Sequence, residues 1–251
     1  SNSVRAKRGG DEPMTDGIAY DPFSDDVMRD PWPFYAELRR EAPVFYLEKY
    51  DTWFLSRFED IRESTVNDVF TAERGVTPEM VLLKADPPPD PVFSMLDLPR
   101  AREYRRVFAP RYSKRATAEL EASLRARTRS ILAPLLEAGS FDAYRDFANP
   151  IAAYTIADLI GLPEDEALTL RGQVETFFTR APGQIGTTPE NDEARLALLT
   201  RVAGIIHERS QQPDEGATDH ISAMLRAEVE GEKMSLPAMV AAVFTLLVTG
   251  A

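Results

Sequence analysis

Cysteine is absent from the 251 residues. Its absence excludes disulfides, a thiolate metal site and a thiol nucleophile, and it fits a reducing, cytoplasmic setting. Histidine is nearly absent too. His207 and His220 are the only two, too few for a histidine-rich metal centre, and both sit in polar helical contexts that read as structural. Positive charge is outweighed, with 29 Lys and Arg against 41 Asp and Glu and a net charge of −12. Such a surface repels phosphate, which argues against a nucleic-acid partner. Long hydrophobic runs are also missing. The longest, 239–251, falls short of the roughly 20 residues that cross a bilayer, and Ser1 to Pro13 holds no apolar signal-peptide core.

The rest is ordinary globular material, 43% hydrophobic, enough for one large core or two small ones. Residues 1–20 read as a disordered polar arm and 21–251 as part of a single domain. The pattern is mainly α with a small β-sheet. Pro31–Arg40 is helical, with Phe34, Tyr35 and Leu38 on one face. Val44–Leu47 and Thr52–Leu55 are short aromatic and β-branched runs, separated by Lys49-Tyr50-Asp51 at hairpin length. Phe58–Val66 is helical. Pro78, Pro87, Pro88, Pro89 and Pro91 then break regular structure between Thr71 and Leu96, and a loop of that length is more often functional than idle.

From Asp97 helices dominate. Asp97 can cap a helix with Pro99 in its first turn. Ala118–Ala138 carries Leu120, Leu124, Ile131, Leu132 and Leu135 at helical spacing and ends at Gly139. Further helices span Asp146–Leu162, Leu168–Thr179, Asp192–Arg209 and Asp219–Glu230, and a last one opens at Ser235. From Met239 onward that helix is apolar around its circumference, which implies burial on all sides. A buried helix end leaves about four carbonyls unpaired, so the sequence is expected to be incomplete.

Several segments together resemble the cytochrome P-450 family of haem-thiolate monooxygenases, in its soluble bacterial form and over its N-terminal part. They are Asp30-Pro31-Trp32-Pro33-Phe34-Tyr35 with Leu38-Arg39; Ala42-Pro43-Val44 and Trp53 to Ile61; Gly139 to Asp142 and Asp146 to Ala148; Ile156 to Pro163; Thr218 to Leu225; and Leu246 to Ala251. Each matches a stretch of that family, and their order is the family's order. The implied fold is the cytochrome P-450 fold, truncated in its long central helix. The implied cofactor is haem b, and the implied reaction is hydroxylation, or another oxidation, of a small, largely apolar organic molecule with O2 and electrons from a redox partner.

The most informative match is Asp97 to Arg106 followed by Tyr112, which takes the place of a usual phenylalanine. The i, i+4 spacing sets Ala101 and Arg105 on one helix face. A guanidinium suits a carboxylate, and by resemblance Arg105 holds a haem propionate. Ala101 stands where most relatives carry a polar side chain, so one contact to the haem is missing or supplied elsewhere. Without the resemblance, Arg105 reads as a solvated helix arginine. Gly250 and Ala251 are the positions where, by resemblance, the macrocycle approaches the backbone.

Phe93, Ser94, Met95, Phe177, Phe178, Thr245, Val248 and Thr249 fall where relatives enclose the substrate. Packing in an ordinary core is an equal alternative for the aromatic and Met positions. Arg102, Arg106, Arg111, Lys114 and Arg115, with Arg100 beside them, form a local positive patch. It reads either as a mixed surface or, by resemblance, as the docking face for an acidic ferredoxin-type donor served by its reductase. No catalytic residue and no metal ligand is expected within the chain itself. The family's acid-Thr pair would follow Ala251, and the cysteine that ligates iron would lie further downstream. Two other readings stand beside this one: a degenerate or truncated relative that binds an apolar ligand without turnover, and an all-α interaction domain.

Overall fold

The computed structural model describes residues 17–67, 69–88, 93–181 and 183–250. Ala251, Pro89 and Pro91, named above, lie outside these residues, as does 1–16. The described residues gather into two compact units, those up to 71 together with 77–85 in one, and 72–76 with those from 86 onward in the other.

In the first unit, α1 (Asp25–Arg29) starts at Ser24, whose hydroxyl accepts from the Val27 amide. Helix α2 (Trp32–Glu41) follows Pro31. Strands β1 (Val44–Leu47) and β2 (Thr52–Leu55) pair antiparallel, Val44 opposite Leu55 and Leu47 opposite Thr52. The chain reverses through a short 3-10 turn, Glu48–Tyr50, and Asp51 in the left-handed region. Helices α3 (Phe58–Val66) and α4 (Pro78–Val81) complete the unit. Tyr20, Val27, Leu38, Ala42 and Phe45 form its core, with Ile18 packed against it. The arm expected over 1–20 is therefore too long. Tyr20 sets its ring edge-on to Phe45 and Phe54, at 6.0 and 5.3 Å.

The second unit is helical apart from one small hairpin. Helix α5 (Arg100–Phe108) begins after Pro99 rather than on an Asp97 side-chain cap. The Asp97 carboxylate accepts from the Ala72 amide at 2.8 Å instead. Helices α6 (Lys114–Glu119) and α7 (Glu121–Ala138) divide what reads in sequence as one helix. The apolar stripe of α7 is only half covered, and no residue of that helix is fully buried. A π-helical turn, Ala143–Ala148, leads into α8 (Asn149–Ile160). Then come α9 (Ala167–Phe178), α10 (Pro189–Gln211) and α11 (His220–Arg226).

The helix expected to run to Glu230 stops at Arg226. Strands β3 (Glu228–Val229) and β4 (Glu232–Lys233) follow as a tight hairpin. Glu230 and Gly231 both take positive φ, as a two-residue hairpin turn of the type that matches strand twist requires. The last helix, α12 (Leu236–Thr249), is capped by Ser235 and packs against α8, α9, α10 and α11. Met239, Ala242, Val243, Thr245, Leu246 and Leu247 are buried on it, so the expectation of burial around its circumference holds through its middle. The core joins Ile160, Leu170, Leu198, Val202, Ile206, Ile221, Met224 and Val243.

Candidate functional site

Helix α5 has two faces. Tyr104 and Phe108 turn into the core, while Arg102, Arg105 and Arg106 are exposed. Arg105 has no ion-pair partner among the described residues, whereas Arg100 pairs with Glu230 at 3.3 Å and Arg115 with Glu119 at 3.0 Å. Ala101, one turn before Arg105, is half-buried. Arg102, Arg106 and Lys114 are exposed and form no ion pair among the described residues. Arg111 is half-buried, with its Nε enclosed and without a hydrogen-bond partner among the described residues.

Behind this face lies an arrangement that sequence reasoning missed. His220 is 1% exposed, and its Nε2 lies 3.2 Å from the Tyr112 hydroxyl. The ring sits edge-on to Phe108, centroids 5.3 Å apart, while Nδ1 is buried without a hydrogen-bond partner among the described residues. Burial, and then the charge of Arg111, push the imidazole pKa down to about 4, against an opposing pull from Asp219. The residue is thus neutral and structural, but at the centre of the unit rather than in a polar context. The one available signal was the polar Tyr112 at a position where an apolar ring is usual.

The expected substrate residues do not all meet at one place. Phe93 packs 5.8 Å from Phe108, and the short turn Phe93–Met95 lies against α12. Ser94 is exposed. Met95, 2% exposed, is enclosed in protein. Phe177 packs 5.8 Å from Phe244 of α12 and 4.8 Å from Phe178, and Phe178 is 50% exposed. Val248 is half-buried, packed against the core.

Thr249 and Gly250 instead line an apolar cleft of about 700 Å³ between α8 and the end of α12, together with Tyr112, Ile156 and Leu246. The hydroxyls of Thr245 and Thr249 donate to the carbonyls one turn back, Ala241 and Thr245, at 2.9 and 2.8 Å. They remain available to a ligand only as acceptors. Gly250 also stands close against α8. A Cβ there would meet Ile156 Cδ1 at 2.5 Å and the Leu246 carbonyl at 2.9 Å, so the missing side chain accommodates α8.

Among the described residues, no group of three or more His, Asp or Glu side chains converges as a metal site, and no helix is long and apolar enough to cross a membrane.

The chain has the cytochrome P-450 fold over part of that fold's length, mainly helical with two small antiparallel pairs, and its similarity in sequence and structure is to that class. A Mycobacterium tuberculosis protein, named only as a cytochrome P-450 (123), is 28% identical over 239 residues, covering 93% of this chain and 58% of its own length. The epothilone C/D epoxidase of Sorangium cellulosum is 26% identical, over 92% of this chain and 57% of its own. The solved structure of CalO2 superposes with a TM-score of 0.72 at 26% identity, covering 93% of this chain and 59% of that one. The chain thus spans under three fifths of the length of these relatives. No protein-family model matches it. Cytochromes P-450 are haem proteins, and the likeness sets aside an all-α domain of unrelated fold.

Proposed function

We propose that this chain forms part of a haem-dependent monooxygenase that oxidises a small, largely apolar organic molecule, using O2 and electrons from a redox partner. The observation that carries the reading is Arg105. It is an exposed guanidinium without an ion-pair partner among the described residues, in the helix whose motif, by its family resemblance, implies a propionate contact.

The residues present fit haem b at its carboxylate edge. A guanidinium donates two parallel hydrogen bonds to a carboxylate, and its charge stays on at any working pH. Ala101 adds no polar contact there, so Arg105 carries that edge of the site from α5. The iron has no thiolate ligand in a chain without cysteine. When bound, the haem supplies the oxygen-activating chemistry.

The chain's own residues bind, shield and admit. Phe93, Met95, Phe177 and Val248 form apolar surroundings that exclude water, with Phe178, Ser94, Thr245 and Thr249 at the margins. Arg102, Arg106, Arg111, Lys114 and Arg115 offer an acidic, ferredoxin-type donor a positive landing face in a chain of net charge −12. Steering acts through such a local field and does not need opposite net charges.

The test is haem retention by Arg105→Leu in the complete gene product, read as haem per protein after gel filtration. The variant is expected to hold haem less tightly by about 1.5–3 kcal/mol, the cost of a charge-assisted hydrogen bond. Unchanged retention removes Arg105 from the site.

A further inference from the structure

The end of α9 and the start of α10 are joined through one buried side chain that the site described above does not use. Asn191 is 4% exposed. Its amide nitrogen donates to the carbonyls of Thr176 at 2.8 Å and Thr179 at 3.1 Å. Its amide oxygen accepts from the Thr188 amide at 2.8 Å and from Gln184 Nε2 at 3.3 Å. The Asn191 amide in turn donates to the Thr188 hydroxyl at 3.2 Å, which completes a reciprocal cap on α10.

The physical logic lies in the helix ends. The last carbonyls of α9 have no partner within the helix, and neither do the first amides of α10. Asn191 satisfies both sets at once, because a carboxamide both donates and accepts. It also brings the negative end of one helix dipole to the positive end of the next. Arg180 finishes the α9 end by donating to the Phe177 carbonyl at 2.6 Å and the Thr179 carbonyl at 3.0 Å. The residues so fastened are the ones that set Phe177 against Phe244 of α12.

We propose that Asn191 is a positioning residue: by fastening the α9 terminus to the first turn of α10, it fixes Phe177 and Phe178 and so governs access to the space beside α12. The tether stands on the hydrogen bonds alone. The link to access rests on the proposed function.

Two variants separate the tether from the helix cap. Asn191→Asp keeps an oxygen to accept from the Thr188 amide but cannot donate, and it sets a carboxylate against two carbonyls. Thr188→Ala removes the cap hydroxyl and leaves the α9 tether in place. In Asn191→Asp, amide hydrogen exchange over 177–181 and tryptic cleavage after Arg180 are expected to accelerate about tenfold or more, the opening expected when one or two hydrogen bonds are lost. Thr188→Ala is expected to leave both rates in 177–181 within about twofold. In the haem-loaded complete protein, stopped-flow binding and release of 4-phenylimidazole are expected to speed up together in Asn191→Asp. Their ratio, the dissociation constant, should shift much less than either rate.

Unaltered exchange and cleavage in Asn191→Asp would overturn the tether. Faster exchange with unaltered 4-phenylimidazole rates would overturn its control of access. If wild type and variant alike gave no haem spectrum, the proposed function would fail, and the exchange data would still decide the tether.

Discussion

At the scale of the residue, the clearest consequence belongs to His220. Its pKa is pushed down from 6.5 to about 4, first by burial and then by Arg111. The unfolded chain therefore takes up this proton near pH 6.5, and the folded chain only near pH 4. Between those values protons favour the unfolded chain. The stability tied to neutral His220 is present above pH 6.5 and is lost as pH falls toward 4, to the order of 3 kcal/mol. His220→Phe keeps an aromatic ring against Phe108 and removes the titration. Urea unfolding at pH 7 and pH 4.5 should show a smaller acid loss in the variant than in wild type, and equal losses would contradict the assignment. Nothing in the sequence marks this residue as buried. Thr218-Asp219-His220 is a polar run, and only the fold brings Tyr112, more than a hundred positions away, to its Nε2. The placement of Arg105 on a helix one turn after Ala101 was legible, because helical spacing is local. The side of α12 on which Thr249 and Gly250 stand was not, because it depends on α8 packing against that end.

At the scale of the element, local chemistry settled most boundaries. The strands Val44–Leu47 and Thr52–Leu55 and the helix Phe58–Val66 fall at the residues that periodicity indicates. The misread segment, Glu228–Lys233, is too short for a strand period to show, and its charged residues suit a helix equally well. Its one signal was Gly231 after Glu230, a pair able to take two successive positive φ values. Gly161 is a case where the element depends on a single glycine. It ends α8 at φ +89°, and a Cβ there would meet the Asp219 carboxylate at 2.2 Å. That carboxylate caps α11 by accepting from the Ser222 amide at 2.9 Å. Arg209 ties the same corner together, donating to the Gly161 carbonyl at 3.0 Å and to Asp219 at 3.3 Å. Gly161→Ala adds left-handed strain of about 1–2 kcal/mol and displaces the cap, worth about another 1 kcal/mol. Thermal unfolding should show a loss of roughly 2–3 kcal/mol. A loss under about 0.5 kcal/mol would mean that the corner relaxes freely.

At the scale of the whole molecule, an acidic chain presents, on α5 and the turn after it, arginines without ion-pair partners among the described residues. If that face receives an acidic electron donor, donor-driven reduction must slow as salt rises, because the screening length shrinks from about 10 Å at 0.1 M to about 3 Å at 1 M. Arg106→Glu should lower the association rate severalfold at low salt and leave ligand affinity at the haem unaltered. Reduction kinetics independent of salt would contradict the docking face. The proposed function, with the thiolate ligation that the family resemblance implies, is read most plainly from the visible spectrum of the reduced full-length protein under carbon monoxide. A Soret band displaced to the red, as thiolate ligation produces, is the predicted result. A reduced carbon monoxide complex without that displacement, or a protein that takes up no haem at all, would contradict the claim.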